Sequence, residues 1–412
     1  MKTPHYIQVF EHQVLRVHEQ QLTQEHLDAL ARFNEQHGQK YFTLLHKGVR
    51  FRQYVGVLQI GSLTIEILPK TDQHLIAPNN WQQVLLDLLH ACNFVKVDAL
   101  TKAPLKLKTS PLLWLYIELY VQEIEQLLNK GLQKNYHKEE RNCTSWKGQI
   151  NFAKQLQKNL TSPHRIYTTQ ESYDYQHPIH QVLYQALTII SQFWVSHSLK
   201  NKIQYVLKTF PKQLPIQVHE ALFHNLYAIP QFRHYHAALD LARMITLQYS
   251  PDVQLGTCPV LAILFDMNLL FEHYIYQRLK QSLDSSWKIK AQLSKRFWAN
   301  RTLRPDIWVQ HQGENYILDT KWKILKKPSP SDEDLRQMYA YNHTFQATKS
   351  LLIYPNVFRL PQRTEAYATP LQIQGEAQQH YCQVIFVDIL NKSGQLNTNI
   401  AQNIIEHLSI EV

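Results

Sequence analysis

Residues 303–323 read LRPDIWVQHQGENYILDTKWK, with apolar runs on either side of Gln312-Gly313. The runs Leu303–Gln310 and Asn315–Lys323 predict two strands, and a Gly-containing pair between them favours a hairpin turn. In a hairpin centred on that pair, Asp306 faces Asp319 directly. The prediction depends on register, because a slip of one residue turns one carboxylate to the other face of the sheet.

This predicted hairpin brings acidic and basic side chains together. Lys321 lies two residues after Asp319 and therefore shares its face. Two opposed carboxylates repel each other, and the arrangement becomes favourable when a divalent cation lies between them. Mg²⁺ held there would polarise a phosphodiester, and Lys321 would orient water or neutralise charge. The alternative is that Asp306 caps a turn and that Asp319 and Lys321 form a solvated ion pair.

Two predicted helices border this hairpin. Ser331 to about Phe345 begins with a capping-box pattern at Ser331 and Asp334 and carries Gln337 and Tyr341 on one face. A long helix predicted over Val260–Leu283 contains Glu272 in an apolar run, as a third candidate carboxylate. A partly exposed helix position is an equally good interpretation of Glu272.

The rest of the chain predicts three domains in an α/β (α+β multidomain) protein. Residues 1–105 are expected to be β-rich, with strands at 41–45, 49–52, 54–60 and 63–68 and helices at 23–36 and 81–92. Residues 106–250 are expected to be helical, with helices ending near Gly131 and spanning 178–198 and 236–248. Residues 251–412 are expected to form a mixed sheet flanked by helices, with further strands at 287–297, 350–354 and 381–390.

Composition narrows the function classes. The 412 residues carry a net charge of +10, which favours an anionic partner such as nucleic acid. The four cysteines are widely spaced, which argues against a disulfide framework or a cysteine-based zinc site. No stretch has the length and apolarity of a membrane span or a signal-peptide core, so we expect no membrane association and a cytoplasmic location. The sequence also has no G-x-x-x-x-G-K-[ST] loop, so we expect no GTP binding by that motif.

The motif Pro305-Asp306 … Asp319-Thr320-Lys321 resembles the PD-(D/E)xK nuclease motif, and Gln337-x-x-x-Tyr341 resembles the motif that follows it in RecB-like nucleases. Three longer segments, VGVLQIGSLTIEILPK (55–70), LFDMNLLFEHYI (264–275) and DLRQMYAY (334–341), resemble McrC, the endonuclease subunit of the McrBC modification-dependent restriction system. The resemblance extends over nearly the whole chain.

The resemblance implies a role for each matching residue. Asp306, Asp319 and the backbone carbonyl of Thr320 would be ligands of Mg²⁺, and Lys321 would be the catalytic lysine. Glu272 would be the helix-borne acid, with Gln337 and Tyr341 as accessory site residues. The C-terminal domain would then have the restriction-endonuclease-like fold.

The resemblance also implies a partner. An McrC-like chain would cut DNA carrying modified cytosine, such as 5-methylcytosine, together with an McrB-like AAA+ GTPase hexamer. Its N-terminal domain would contact the ring and stimulate GTP hydrolysis. Two alternatives remain open: a GTPase activator with a vestigial nuclease site, and a RecB-like repair nuclease that works alone.

Overall fold

The structure is a computed structural model that describes residues 5–19, 22–69, 78–92, 112–251, 258–373, 375–391 and 393–409. Its strands are β1 (His5–Phe10), β2 (Val14–Arg16), β3 (Phe42–Leu45), β4 (Gly48–Phe51), β5 (Tyr54–Ile60), β6 (Leu63–Leu68), β7 (Asn135–Cys143), β8 (Gln149–Ile150), β9 (Ile166–Asp174), β10 (Tyr249–Ser250), β11 (Val260–Asp266), β12 (Lys288–Ala291), β13 (Lys295–Trp298), β14 (Arg301–Leu303), β15 (Ile307–His311), β16 (Glu314–Thr320), β17 (Ala347–Pro355), β18 (Arg363–Ala366), β19 (Leu371–Ile373), β20 (Glu376–Gln378) and β21 (Tyr381–Val387). Its α-helices are α1 (Gln24–Gln36), α2 (Pro78–Ala91), α3 (Leu112–Lys130), α4 (Phe152–Asn159), α5 (Pro178–Ile190), α6 (His197–Thr209), α7 (Glu220–Tyr227), α8 (His236–Leu247), α9 (Met267–Ser282), α10 (Asp332–Phe345) and α11 (Ile400–Ser409).

A five-stranded sheet with the order β1-β6-β5-β11-β10 forms the centre of the N-terminal part. One face packs against α1, where Phe33 lies in a core with Leu58 and Ile65. The opposite face packs against the helical region. Gly56 is required in β5, because its φ is +131° and a Cβ there would overlap the carbonyl oxygen of Ile263 in the neighbouring strand.

The prediction of a helix over Val260–Leu283 is wrong for the first part of this range. Residues Val260–Asp266 form β11, which pairs antiparallel with β5, and the helix begins only at Met267. Asp266 marks the change, because its side chain accepts the N–H of Asn268 and caps α9. A buried strand and a buried helix have similar apolar runs, and only the pairing with β5 distinguishes them here. This sheet therefore includes residues on both sides of the predicted boundary at residue 251, and the division into three domains stays a prediction.

The middle of the chain is mainly helical, as predicted, but one predicted helix is broken and an unpredicted sheet is present. The helix predicted over Pro178–Ser198 is two helices, α5 and α6, since α5 ends at Ile190 and Ser196 caps α6 through the N–H of Leu199. Helices α3, α5, α6 and α8 share one apolar core, which continues onto Val55 and Val57 of β5. The prediction of a purely helical region is wrong between residues 135 and 174, where β7, β9 and β8 pair antiparallel in a three-stranded sheet next to α4.

A second large sheet organises the C-terminal part, with the order β12-β15-β16-β17-β21-β18. Antiparallel β15 and β16 are followed by parallel β17 and β21, so the sheet is mixed, as predicted. Helices α9 and α11 cover one face, with Leu279 and Ile404 in the same core as Leu318. Helix α10 covers the other face through Met338, Tyr341 and Phe345.

Two of the predicted strands in this part are divided. Residues 287–297 form β12 and the start of β13, and residues 303–310 are interrupted at Arg304-Pro305-Asp306 before β15 begins. Pro305 has no N–H to donate to a sheet, which agrees with the break.

None of the helices in the described part of the chain is long and apolar enough to cross a membrane. The four cysteines are all free.

Candidate functional site

The β15–β16 hairpin has the predicted register. Ile307 pairs with Leu318, and the turn residues Gln312 and Gly313 both have positive φ, which is typical of a tight hairpin. Asp306 lies one residue before the first pair and Asp319 one residue after it. The two carboxylates therefore occupy the same end of the hairpin.

The carboxylate of Asp306 is held in place by the strand end opposite it. Its Oδ2 accepts hydrogen bonds from the backbone N–H of Thr320 at 2.7 Å and from the Thr320 hydroxyl at 2.8 Å. The backbone carbonyl of Asp306 accepts the N–H of Gln292 at 2.8 Å. These bonds fix the direction of a side chain that lies outside regular structure.

Lys321 places its ammonium group beside Asp319. Its Nζ lies 2.6 Å from Asp319 Oδ2 and donates to Gln337 Oε1 at 2.9 Å. Asp334 Oδ1 lies 3.5 Å from the same Nζ. Asp319 is 2% exposed, so this pair is largely removed from water.

Helix α10 supplies the polar groups that surround Lys321. Gln337 and Tyr341 are four residues apart and share a face, and Gln337 Nε2 donates to the Tyr341 hydroxyl at 2.8 Å. That hydroxyl donates to the carbonyl oxygen of Arg304 at 3.1 Å. A chain of hydrogen bonds thus connects Lys321 to the backbone next to Asp306.

Glu272 reaches the site from α9 on the other face of the sheet. Glu272 is only 7% exposed, so the other interpretation, that it is a partly exposed helix residue, is wrong. Gln292 Nε2 donates to its Oε1 at 2.9 Å. The same Gln292 therefore holds both Glu272 and the backbone of Asp306.

The three carboxylates repel one another. Burial and the charges of Asp306 and Asp319 raise the pKa of Glu272 to about 7. Burial and the charge of Asp306 raise the pKa of Asp319 to about 7, although Lys321 acts in the opposite direction. Burial also raises the pKa of Asp306, against the hydrogen bonds from Thr320. A cation placed among these groups would relieve the repulsion.

The ammonium group of Lys321 stays charged. Burial alone would lower its pKa, but the charges of Asp319, Asp334 and Asp306 outweigh burial and raise it. The site therefore holds one fixed positive charge next to several carboxylates, and this charge is too small to balance theirs.

Sequence reasoning missed two residues of this site. Asp334 was predicted only as part of the capping box, and Ser331 does cap α10 through the Asp334 N–H. The Asp334 carboxylate also faces Lys321, Lys323 and the Tyr354 hydroxyl. Gln292 carries no motif, so only the fold could reveal it.

The donor set suits Mg²⁺, which takes oxygen ligands, needs only one or two protein carboxylates and keeps several waters. Asp306 and Asp319 provide such carboxylates, and the Thr320 carbonyl belongs to the same strand end. Among the described residues, no three His, Cys, Asp or Glu side chains form a ready-made metal cage.

Comparison with known proteins shows the family of the chain. Residues 49–355, more than half of the chain, match the family described as McrBC 5-methylcytosine restriction system component. The fold is similar to a chain in the refined half-complex from the tetradecameric assembly of Thermococcus gammatolerans McrB AAA+ hexamers with bound McrC, with a TM-score of 0.65, 16% identity and coverage of 97% of this chain and 100% of that chain. A chain of the Thermococcus gammatolerans McrBC complex solved by cryo-EM is also similar, with a TM-score of 0.48, 15% identity and coverage of 67% of this chain and 87% of that chain. No curated protein matches the chain significantly. From the family match, the chain belongs to the McrBC 5-methylcytosine restriction system components, in agreement with its resemblance to McrC.

Proposed function

We propose that this chain is the endonuclease subunit of a modification-dependent restriction system and hydrolyses DNA phosphodiesters with Mg²⁺. The observation that carries the proposal is the convergence of Asp306, Asp319 and Lys321 at one end of the β15–β16 hairpin. Buried carboxylates that repel one another are costly to the fold, and a metal-dependent reaction gives them a purpose.

Each residue has a distinct part in this mechanism. Bound Mg²⁺ would supply Lewis acidity and a more acidic water. Asp306, Asp319 and the Thr320 carbonyl would hold the ion, with Thr320 also fixing Asp306. Lys321 would neutralise negative charge that develops on the phosphate, because its ammonium group is preorganised in a site with little water.

The remaining polar residues hold these groups in position. Gln337 accepts from Lys321 and is itself held by Tyr341, so the direction of the ammonium group is fixed by α10. Glu272, positioned by Gln292, would serve as the acid on the α9 side of the site.

We propose an McrB-like AAA+ GTPase hexamer as the partner, and stimulation of its GTP hydrolysis by this chain. The similar solved structure contains McrB AAA+ hexamers with bound McrC, and the likeness covers nearly the whole chain. The sequence has no P-loop of its own, so GTP would be hydrolysed by the partner. The substrate would be DNA that carries modified cytosine.

The test is cleavage of methylated plasmid DNA by the full chain with its GTPase partner, GTP and Mg²⁺. Wild type should cut, and Asp319→Asn, which keeps the shape of the side chain but removes the charge, should not. Equal cutting by both proteins would refute the assignment.

Measuring GTP hydrolysis in the same reactions separates the alternatives. GTPase stimulation without any metal-dependent cutting would indicate an activator with a vestigial site. Fast cutting by the isolated chain, regardless of methylation, would indicate a nuclease that works alone. We do not expect a vestigial site, because the residues of the nuclease motif are present and connected by hydrogen bonds. We expect cutting to need the partner, because the similar solved structure is an assembly of McrB hexamers with bound McrC.

A further inference from the structure

A two-stranded ribbon, β13 and β14, lies between β12 and β15 in the sequence and forms a sheet of its own. Every residue of β13 is exposed, including Phe297 at 55% and Trp298 at 68%. The pairing shifts between Arg296 and Trp298, so Phe297 lies in a bulge close to the turn. Apolar rings on a thin ribbon contribute little to folding, because neither is buried in a core.

Both ends of this ribbon are bonded to the candidate nuclease site. On the β13 side, Gln292 binds Glu272 and the backbone of Asp306. On the β14 side, the carbonyl of Arg304 accepts the Tyr341 hydroxyl. The Lys295 ammonium lies 4.9 Å above the Phe345 ring of α10, so the base of the ribbon also contacts that helix. The ribbon is therefore held in a fixed place beside the site.

The charged side chains of the ribbon and its flanking residues are all positive. Residues 285–305 contain no Asp or Glu and carry Lys288, Lys290, Lys295, Arg296, Arg301 and Arg304. Arg296 and Arg301 are exposed on the ribbon itself. Exposed cations interleaved with exposed aromatic rings match a polyanion that also offers flat apolar faces, which is the chemistry of nucleic acid.

We propose that the β13–β14 ribbon is a DNA-binding element that holds the duplex at the nuclease site, with Arg296 and Arg301 on phosphates and Phe297 and Trp298 against bases. The inference rests on the proposed function and adds the element that positions the substrate. Apolar side chains inserted at a base step unstack it and bend the duplex, which would bring the scissile phosphate toward Asp306 and Asp319. Contacts of this kind do not read sequence, so recognition of the modified base can lie in the partner.

The first test measures salt-dependent binding of the full chain to a methylated duplex by fluorescence anisotropy, without divalent cations so that no cleavage occurs. Each phosphate contact contributes roughly 0.9 to the slope of log affinity against log salt, so Arg296→Ala with Arg301→Ala should reduce that slope by about 1.8. Lys200→Ala with Lys208→Ala is the matched control, because both lysines are exposed on α6 and the charge change is equal. An equal loss of slope in the two double variants would refute a local contact.

The second test concerns the aromatic rings. Phe297→Ala with Trp298→Ala should weaken binding by about 30-fold or more while leaving the salt slope unchanged, since stacking rather than charge is lost. It should also abolish the fluorescence rise of 2-aminopurine placed at the unstacked step. Tyr205→Ala, which removes a ring that is 65% exposed on α6, is the control and should have no effect. A Phe297/Trp298 variant that binds as wild type and still unstacks 2-aminopurine would overturn the proposal.

The two proposals fail separately. If wild type cuts DNA and the ribbon variants bind and cut normally, the ribbon proposal fails and the nuclease assignment stands. If the ribbon variants lose DNA binding but wild type never cuts with any divalent metal, the nuclease assignment fails and the ribbon remains a DNA contact. Normal DNA binding with loss of the GTPase partner would assign the ribbon to a protein interface and refute the proposal.

Discussion

Replacing Asp319 by Asn should stabilise the metal-free fold. Asp319 is 2% exposed, and burial together with the charge of Asp306 raises its pKa to about 7 from an ordinary value of 3.8. The folded state therefore binds this proton more tightly than the unfolded state does. The stability that the group contributes is fully present below about pH 4 and is lost as the pH rises to about 7.

The size of the effect follows from the shift. One pKa unit corresponds to about 1.4 kcal/mol, so roughly three units set an upper limit of about 4 kcal/mol at neutral pH. The realised gain is smaller, because the carboxylate of Asp306 shares that cost and because the Asn variant loses the ion pair with Lys321. We therefore expect Asp319→Asn to gain about 2 kcal/mol at pH 7.5 and less than about 1 kcal/mol at pH 5.

The assay is urea unfolding of the full chain in EDTA at both pH values, followed by tryptophan fluorescence. Trp322 lies three residues from Asp319 and is 4% exposed, so the signal includes the site. Asp28→Asn, an exposed position on α1, is the control and should show no pH-dependent gain. If Asp319→Asn is less stable than wild type at pH 7.5, the electrostatic reasoning is wrong.

Three further outcomes follow from the same geometry. Adding Mg²⁺ should raise the melting temperature of wild type but not of Asp319→Asn in a thermal scan, and equal rises would place the ion elsewhere. Lys321→Met should slow single-turnover cleavage by about 100-fold or more while keeping the Mg²⁺-dependent rise, and loss of that rise would make Lys321 a structural residue. Tyr341→Phe, which removes the hydroxyl that holds Gln337, should cost about 1 kcal/mol of unfolding free energy, whereas Tyr205→Phe on the surface should cost nothing measurable by urea unfolding. Equal stability of the two Tyr variants would contradict that role.

The sequence predicted the hairpin well because its register is determined locally. The turn at Gln312-Gly313 and the alternation of β15 and β16 are sufficient to place Asp306 beside Asp319. The position of Lys321 follows from the two-residue period of a strand. Gln337 and Tyr341 were also predictable, because a strong cap at Ser331 fixes where α10 begins and therefore which face they share.

The errors occur where distant parts of the chain decide the structure. Residues 260–266 become a strand only because β5 offers a partner far away in sequence, and the apolar run itself favoured a helix. Gln292 joins the site because β12 pairs with β15 and brings it to Asp306. Asp334 looked like an ordinary capping residue, and its second role depends on how α10 packs on the sheet.

The strand order of the N-terminal sheet also determines when each strand can pair during synthesis. Strand β5 can pair with β6 as soon as both have been made, but its other neighbour, β11, begins only at Val260. Until then one side of β5 is an open edge, and such edges are the parts of a nascent chain most prone to pair with the wrong strand. A shortened product that stops at residue 250 would keep that open edge permanently, so we expect it to aggregate rather than to serve as an isolated ring-binding fragment.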